Sequence, residues 1–257
     1  MGVLKTEQGI YTALVLDFET GGLDCIRCAC TQIALQAVRL DTWEVLGRYA
    51  NYIAPYEKQA LGGAPKRKVL KTRRELEQEE ERELMDYEAV ALSYTDITMD
   101  LLRSRGVDLY QVASEVIDFA RKHTLSKGAR FKPILIGQNI PFDVGFLQQM
   151  MAYAGLQKEF SQIFSGTTDF YGNFQPHYLD TIVLARLCLA ADPSVSSYKL
   201  ELIAERLGIE LDDAHDADAD VTATRQVAAL CSHRLRQEGG GGTMLQRTPK
   251  TRDHFKI

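Results

Sequence analysis

Residues 11–21 read YTALVLDFETG, and this stretch decides the fold. Its first six residues are nearly continuously apolar and β-branched over the length of one strand, which is typical of a central strand covered on both faces. Side chains alternate between the two faces of a strand, so Asp17 and Glu19 project from the same face. Two adjacent carboxylates repel each other unless a cation lies between them, and their oxygens suit magnesium or manganese. A solvated strand end is the alternative interpretation.

The segments that follow predict an α/β sheet with helices on its faces. Residues 31–40 and 43–53 predict two neighbouring strands joined by a tight turn at residues 41–42. After them, helical and strand patterns alternate along the chain. The later predicted elements are a helix starting at Leu109, a strand at 133–137, a helix over 142–151, a short strand at 178–180, and helices at 181–190, 199–207 and 217–234.

The composition is that of an ordinary globular protein. Of the 257 residues, 45% are hydrophobic and 25% are charged, which excludes a disordered or collagenous chain, and the apolar runs are too short to span a membrane. A formal net charge of -5 gives no overall positive field, so a polyanionic partner must be bound locally. Five cysteines without an N-terminal export signal predict a cytoplasmic protein.

We expect one domain over residues 1–238, with a charged insertion at 57–88. In the insertion, six basic residues precede a run rich in acids, which favours an exposed, partly helical segment; the alternative is a flap whose basic half touches substrate phosphates. Residues 239–257 form a glycine-rich spacer and a basic tail. We expect this tail to be disordered, and a tethered arm for nucleic acid or a partner protein is the alternative.

Two further acidic motifs follow later strands. Residues 137–143 read GQNIPFD and place Asp143 near the first turn of a helix at the sheet edge, where helix capping would also explain it. Residues 212–220 read DDAHDADAD and open the last predicted helix. So dense an acidic cluster repels itself unless cations neutralise part of it. Because His215 and Asp220 would lie ~140° apart on one regular helix, we expect His215 on the preceding loop.

Together, the ordered patterns Asp-x-Glu, Asn-x-x-x-Asp and His-x-x-x-x-Asp resemble the three motifs of the DEDDh family of 3′ to 5′ exonucleases, in the ribonuclease H-like superfamily. Residues 179–186 and 197–208 are similar to the stretch before the last motif in the proofreading-type members. The resemblance covers residues 11–231 outside the charged insertion. It implies a ribonuclease H-like fold, with a five-stranded mixed sheet flanked by helices.

The resemblance also implies the catalytic residues and the reaction. Asp17, Glu19, Asp143 and Asp220 would hold two divalent cations, Mg²⁺ or Mn²⁺, and His215 would be the general base. The expected substrate is a single-stranded DNA or RNA with a free 3′ end. The expected products are 5′ mononucleotides.

The residues expected to contact the terminal nucleotide are Thr20, Gly21, Gly22, Leu23, Asn139 and Phe142. The two glycines would let the backbone approach the substrate closely. Leu23 would wedge against a base, with a core or turn role as the alternative. Asn139 would orient the strand end that bears Asp143, or cap the helix. For Phe142 a core position is the favoured interpretation, and stacking on a base is the alternative.

The chain departs from many proofreading members at residues 19–22, where Glu-Thr-Gly-Gly replaces Glu-Thr-Thr-Gly and loosens the turn. Cys25, Cys28 and Cys30 follow this turn, but the residues nearby do not complete four zinc ligands. Two other functions stay open. One is a proofreading subunit tethered to a DNA polymerase or another replication or repair partner, and the other is a catalytically inactive nucleic-acid-binding module.

Overall fold

The computed structural model of the protein describes residues 9–59, 83–210 and 217–238. The strands are β1 (Thr12–Thr20), β2 (Cys30–Arg39), β3 (Val45–Tyr52), β4 (Ile134–Gly137), β5 (Gly166–Thr168), β6 (Phe174–Pro176) and β7 (Tyr178–Asp180). The central sheet has the strand order β3-β2-β1-β4-β7, in which β1 pairs with β2 and β2 with β3 in antiparallel fashion, while β4 is parallel to β1 and to β7. Strands β5 and β6 form a separate hairpin. The predicted five-stranded mixed sheet is therefore confirmed.

Helices cover both faces of the sheet. The α-helices are α1 (Ala89–Tyr94), α2 (Met99–Arg105), α3 (Leu109–His123), α4 (Pro141–Tyr153), α5 (Gln157–Ile163), α6 (Thr181–Cys188), α7 (Leu200–Leu207) and α8 (Ala217–Glu238). One buried cluster combines one face of the sheet with α3, α4 and α5, and a second combines the other face with α6, α7 and α8. None of the described helices is long and apolar enough to cross a lipid bilayer.

Strand β1 is buried on both faces, as its apolar run predicts. Leu14, Leu16 and Phe18 belong to the cluster formed with α3, α4 and α5, whereas Ala13 and Val15 belong to the cluster on the opposite face. The strand continues through Thr20, so Asp17 and Glu19 lie within it and share the face of Ala13 and Val15. Both carboxylates therefore point to the side of the sheet that α8 covers.

Several short elements differ from the sequence predictions. β3 begins at Val45 rather than at Trp43, because Trp43 adopts a left-handed φ of 62° and donates its N–H to the Arg39 carbonyl at 2.8 Å. The hairpin β5–β6 and helices α1, α2 and α5 were not predicted, since three to seven residues carry too little periodicity to identify an element.

The charged insertion is described only at its two ends. Glu57 and Leu84 form an antiparallel bridge, and the N–H of Lys58 donates to the Glu83 carbonyl at 2.8 Å. These contacts bring the two ends of the insertion together. Residues 60–82 and the predicted tail at 239–257 lie outside the described residues.

The loop between β1 and β2 is held by one buried amide on α4. Gln149 is 4% exposed, and its Nε2 donates to the carbonyls of Cys25 and, at 3.0 Å, Cys28. Its Oε1 accepts the hydroxyl of Tyr56 at 2.7 Å, and the same hydroxyl accepts the N–H of Cys30 at 2.7 Å. A single side chain thus fixes the loop that follows the two carboxylates of β1.

We predict that Gln149→Met lowers the free energy of unfolding by about 1–3 kcal/mol, because it leaves buried polar groups without partners. Urea denaturation followed by circular dichroism measures this change. The matched control is Gln157→Met at an exposed position on α5, for which we expect a change within about 0.5 kcal/mol. Equal losses in the two variants would contradict the role given to Gln149.

Candidate metal centre

Three carboxylates from two elements converge on one face of the sheet. Asp17 and Glu19 of β1 and Asp220 of α8 each offer an oxygen, and these oxygens lie within 4.8 Å of one another. Ala217 and Val221, in the first turns of α8, are fully buried and pack against the sheet. This packing holds Asp220 over β1, and all three acidic residues are half-buried.

A fourth carboxylate reaches β1 from the other side. Asp143 lies in the first turn of α4 and is only 3% exposed. Its Oδ1 accepts the backbone N–H of Phe18 at 3.0 Å, and Phe18 lies between Asp17 and Glu19 in the strand. This hydrogen bond fixes Asp143 beside the three converging acids, although it is made to the backbone of β1 and not to an acidic side chain.

The electrostatics of Asp143 are unfavourable without a cation. Burial, followed by the negative charges of Glu19 and Asp180, raises its pKa to about 8, against the lowering effect of the hydrogen bond from Phe18. Four carboxylates in this arrangement offer hard oxygen donors and an excess of negative charge. The donor atoms and the charge of these residues are therefore suited to binding a divalent cation.

The turn after β1 has the compact form expected of residues 20–23. The Thr20 hydroxyl donates to the Gly22 carbonyl at 2.8 Å, and the Gly21 N–H donates to the Ala29 carbonyl at 2.8 Å. A Cβ at Gly21 would lie 2.5 Å from the Asp86 carbonyl oxygen, so only glycine fits there. Leu23 is 85% exposed, so the alternative of a core position is wrong.

The turn before α4 is also defined. Asn139 has a left-handed φ of 53° and is exposed, and α4 has no side-chain cap, so the capping alternative for Asn139 is not what the structure adopts. Phe142 is half-buried and packs against Phe146, with ring centroids 4.9 Å apart. The substrate-binding roles of both residues stay predictions.

Asp180 is a residue of this site to which the sequence motifs assign no role. Its Oδ1 accepts the N–H of Ile182 at 2.9 Å, which caps α6, and the N–H of Asn139 at 3.2 Å, which ties α6 to the turn before α4. The signal available in the sequence is an aspartate between a predicted strand and a predicted helix, which is typical of an N-cap.

Two other predictions concern His215 and the cysteines. His215 lies outside the described residues, so its role as general base stays a prediction. Cys28 and Cys30 are buried and Cys25 is half-buried. Within the described ranges, the three converging acids are the only group of metal-ligating side chains at metal-binding distances, and the cysteines form no such group.

We predict that Asp143→Asn stabilises the metal-free protein at pH 8 by about 1 kcal/mol or more, since each unit of pKa shift corresponds to about 1.4 kcal/mol. The folded pKa lies above its ordinary value of 3.8, so the wild type loses stability as the pH rises from 3.8 toward about 8, and the asparagine variant does not. Urea denaturation in EDTA at pH 5 and pH 8 measures the difference, which should be smaller at pH 5. An exposed control, Asp118→Asn on α3, should show no such pH dependence. A variant that is no more stable than the wild type at pH 8 would contradict the electrostatic account.

Comparison with known proteins agrees with this architecture. Residues 111–228, which include Asp143 and Asp220, match the family described as Exonuclease. The PolC-type DNA polymerase III of Bacillus cereus is 24% identical over 213 residues, which cover 83% of this chain and 11% of the polymerase.

Solved structures share the fold at low sequence identity. Exonuclease I of E. coli in complex with a dT13 oligonucleotide has a TM-score of 0.62 at 20% identity, over 89% of this chain and 42% of that chain. The zinc-bound form of the E. coli exonuclease I complex with single-stranded DNA has a TM-score of 0.59 at 20% identity, over 89% of this chain and 41% of that chain. The chain thus spans about a tenth of the polymerase and less than half of the exonuclease I chains. These comparisons agree with the resemblance in the sequence motifs: residues 111–228 match the Exonuclease family model, and the chain shares the fold of the exonuclease I structures.

Proposed function

We propose that this chain is a metal-dependent 3′ to 5′ exonuclease that removes 5′ mononucleotides from single-stranded DNA with a free 3′ end. The observation that carries the proposal is the convergence of Asp17, Glu19 and Asp220 within 4.8 Å, beside the buried Asp143, in a chain whose residues 111–228 match the Exonuclease family model. Carboxylate clusters of this kind hold the cations that phosphodiester hydrolysis uses.

The related proteins support the choice of substrate and partner. E. coli exonuclease I is described in complex with a dT13 oligonucleotide, which favours single-stranded DNA over RNA for this chain. The PolC-type relative is a DNA polymerase, which favours a protein of replication or repair as a partner. An inactive binding module is less well supported, because all four acids are present and three of them converge.

In the proposed mechanism, Asp17, Glu19, Asp143 and Asp220 would hold two divalent cations, Mg²⁺ or Mn²⁺. Such cations, when bound, polarise the attacking water and stabilise the charge on the leaving 3′ oxygen. The rigid strand β1 fixes the first two carboxylates, and the N–H of Phe18 orients the third. These carboxylates are therefore held in place before substrate binds, which lowers the free energy needed to reorient them during the reaction.

The proposal assigns the remaining roles, proton transfer and contact with the terminal nucleotide, to His215 and to the turn after β1. His215 accepts a proton from the attacking water, for which a neutral imidazole is suited near pH 7. The side chain of Leu23 is exposed, and in this proposal it would contact the base of the terminal nucleotide. The hydrogen bond from Thr20 to Gly22 keeps this turn compact while the base is bound.

We predict that the wild type shortens a 5′-labelled, 3′-unblocked DNA oligonucleotide only with Mg²⁺ or Mn²⁺, and that Asp17→Ala lowers the rate by about 1,000-fold or more. Gel electrophoresis of the products measures both effects, and a matched RNA oligonucleotide should be degraded more slowly. The control Asp118→Ala removes an exposed acid on α3 and should retain activity. Degradation that persists in excess EDTA would contradict the metal-dependent mechanism.

We also predict that saturating Mn²⁺ raises the melting temperature of the wild type, because cations that bind only the folded state stabilise it. At 100 times Kd, one site contributes about 2.7 kcal/mol. Asp220→Asn removes one charged ligand and should reduce the shift, whereas Asp118→Asn should not change it. Differential scanning fluorimetry with and without Mn²⁺ gives the comparison. The absence of a shift in the wild type would show that these acids do not form a cation site.

A further inference from the structure

A polar groove adjoins the carboxylates between β3 and the first turns of α8. It has a volume of about 380 Å³ and is lined by Gln32, Arg48, Tyr49, Ala50, Tyr52 and Asp218. In the antiparallel register, Arg48 pairs with Gln36, Tyr52 pairs with Gln32, and Gln32 pairs in turn with Glu19. Paired residues of antiparallel strands lie on the same face, so the groove opens on the face of the two β1 carboxylates.

A second arginine, Arg225, lies near Arg48, which lines this groove. Arg225 of α8 donates from Nε to Oε1 of Gln36 at 3.2 Å, and Arg48 is the cross-strand partner of Gln36. Gln36 is fully buried, and its Nε2 donates to the Thr222 hydroxyl at 2.7 Å, which fixes the orientation of the amide. The amide of Gln36 therefore positions the Arg225 guanidinium, and the sheet register places Arg48 directly across from Gln36.

The charges at this end of the groove favour an anion. Arg48 forms a loose ion pair with Asp218, with 3.7 Å between the nearest atoms, whereas Arg225 is bonded to an amide rather than to a carboxylate. Burial and the like charge of Arg48 lower the pKa of Arg225. A phosphodiester placed between the two groups would accept hydrogen bonds from both and relieve their repulsion.

The position of the arginines suits a nucleic-acid strand whose 3′ end lies at the carboxylate cluster. Gln36 lies four residues along β2 from Gln32, the cross-strand partner of Glu19, which corresponds to ~13 Å along the strand. Tyr52 lines the groove beside Gln32 and offers an aromatic surface to a base. A local basic site is also needed, because the net charge of -5 and the acidic cluster both repel a polyanion.

We propose that Arg48 and Arg225 bind a backbone phosphate of the substrate strand upstream of its terminal nucleotide. This inference rests on the proposed function and extends it, since it assigns substrate-binding residues outside the carboxylate cluster and the turn after β1. It also gives the path of the strand, which leaves the cluster past Gln32 and Tyr52 and reaches the edge strand β3.

Binding of a 5′-fluorescein-labelled oligothymidylate tests the site. Fluorescence anisotropy is measured in Ca²⁺ over a range of salt concentrations, with electrophoresis to verify that the oligonucleotide stays intact. We expect Arg48→Gln to weaken binding about 3- to 10-fold at low salt. The double variant Arg48→Gln/Arg225→Gln should lower the slope of log affinity against log salt by about 0.7, the value for one phosphate contact on a single strand. Thermal melting identifies any variant that fails to fold, in which case the single Arg48 variant decides.

Three comparisons keep the test specific. Arg48→Lys retains the charge and should recover most of the salt dependence, whereas Arg121→Gln on α3, which also removes an exposed arginine paired with an aspartate, should bind like the wild type. Thymidylyl-thymidine carries only the scissile phosphodiester, so its binding as a competitor should not depend on Arg48. An equal loss of dinucleotide binding, or an unchanged salt slope in the double variant, would overturn the proposal.

Shortening of the same oligonucleotide by the wild type in Mg²⁺ tests the proposed function separately. If the wild type is active and Arg48→Gln binds the oligonucleotide like the wild type, the phosphate site is wrong and the exonuclease assignment stands.

Discussion

Repulsion between like charges is the constraint on which the rest of this structure depends. Asp17 and Glu19 project from one face of β1, Asp220 meets them from α8, and Asp143 is bonded to the backbone between them. Flexible elements would let such carboxylates separate. Here β1 is buried on both faces and both helices are seated on the sheet, so the acids stay together. The same packing that stabilises the fold therefore maintains a site that a divalent cation fits.

The sheet register places two opposite charge distributions next to each other. The carboxylates gather at β1, and the arginines Arg48 and Arg225 lie farther out on the same face, around Gln36. In the proposed function, this arrangement would separate the residues at the reacting phosphate from the residues that bind the rest of the substrate strand. The overall negative charge of the chain then does not prevent local binding of nucleic acid.

Much of the fold follows from the sequence because hydrophobic periodicity identifies long elements. The apolar run of β1 and the alternating helix and strand patterns after Leu109 predict the mixed sheet. The alternation of side chains along β1 predicts that Asp17 and Glu19 lie on the same face. Short elements such as the β5–β6 hairpin lack a periodic signal. The residue types at 43–53 predict a strand that includes Trp43. The left-handed backbone of Trp43 is set by the turn, so its residue type does not indicate it.

The site was only partly predictable for a related reason. Ordered motifs identify Asp17, Glu19, Asp143 and Asp220, whereas the roles of Asp180 and Arg48 depend on which strands are neighbours and on their register. Those quantities are set by tertiary packing, so no local pattern contains them.

The most direct test of the central claim is the anomalous diffraction of crystals grown or soaked with Mn²⁺. The account predicts an anomalous peak within coordination distance of the carboxylates of Asp17 and Asp220. Crystals saturated with Mn²⁺ that show no peak there, or a peak only at a different set of residues, would contradict it.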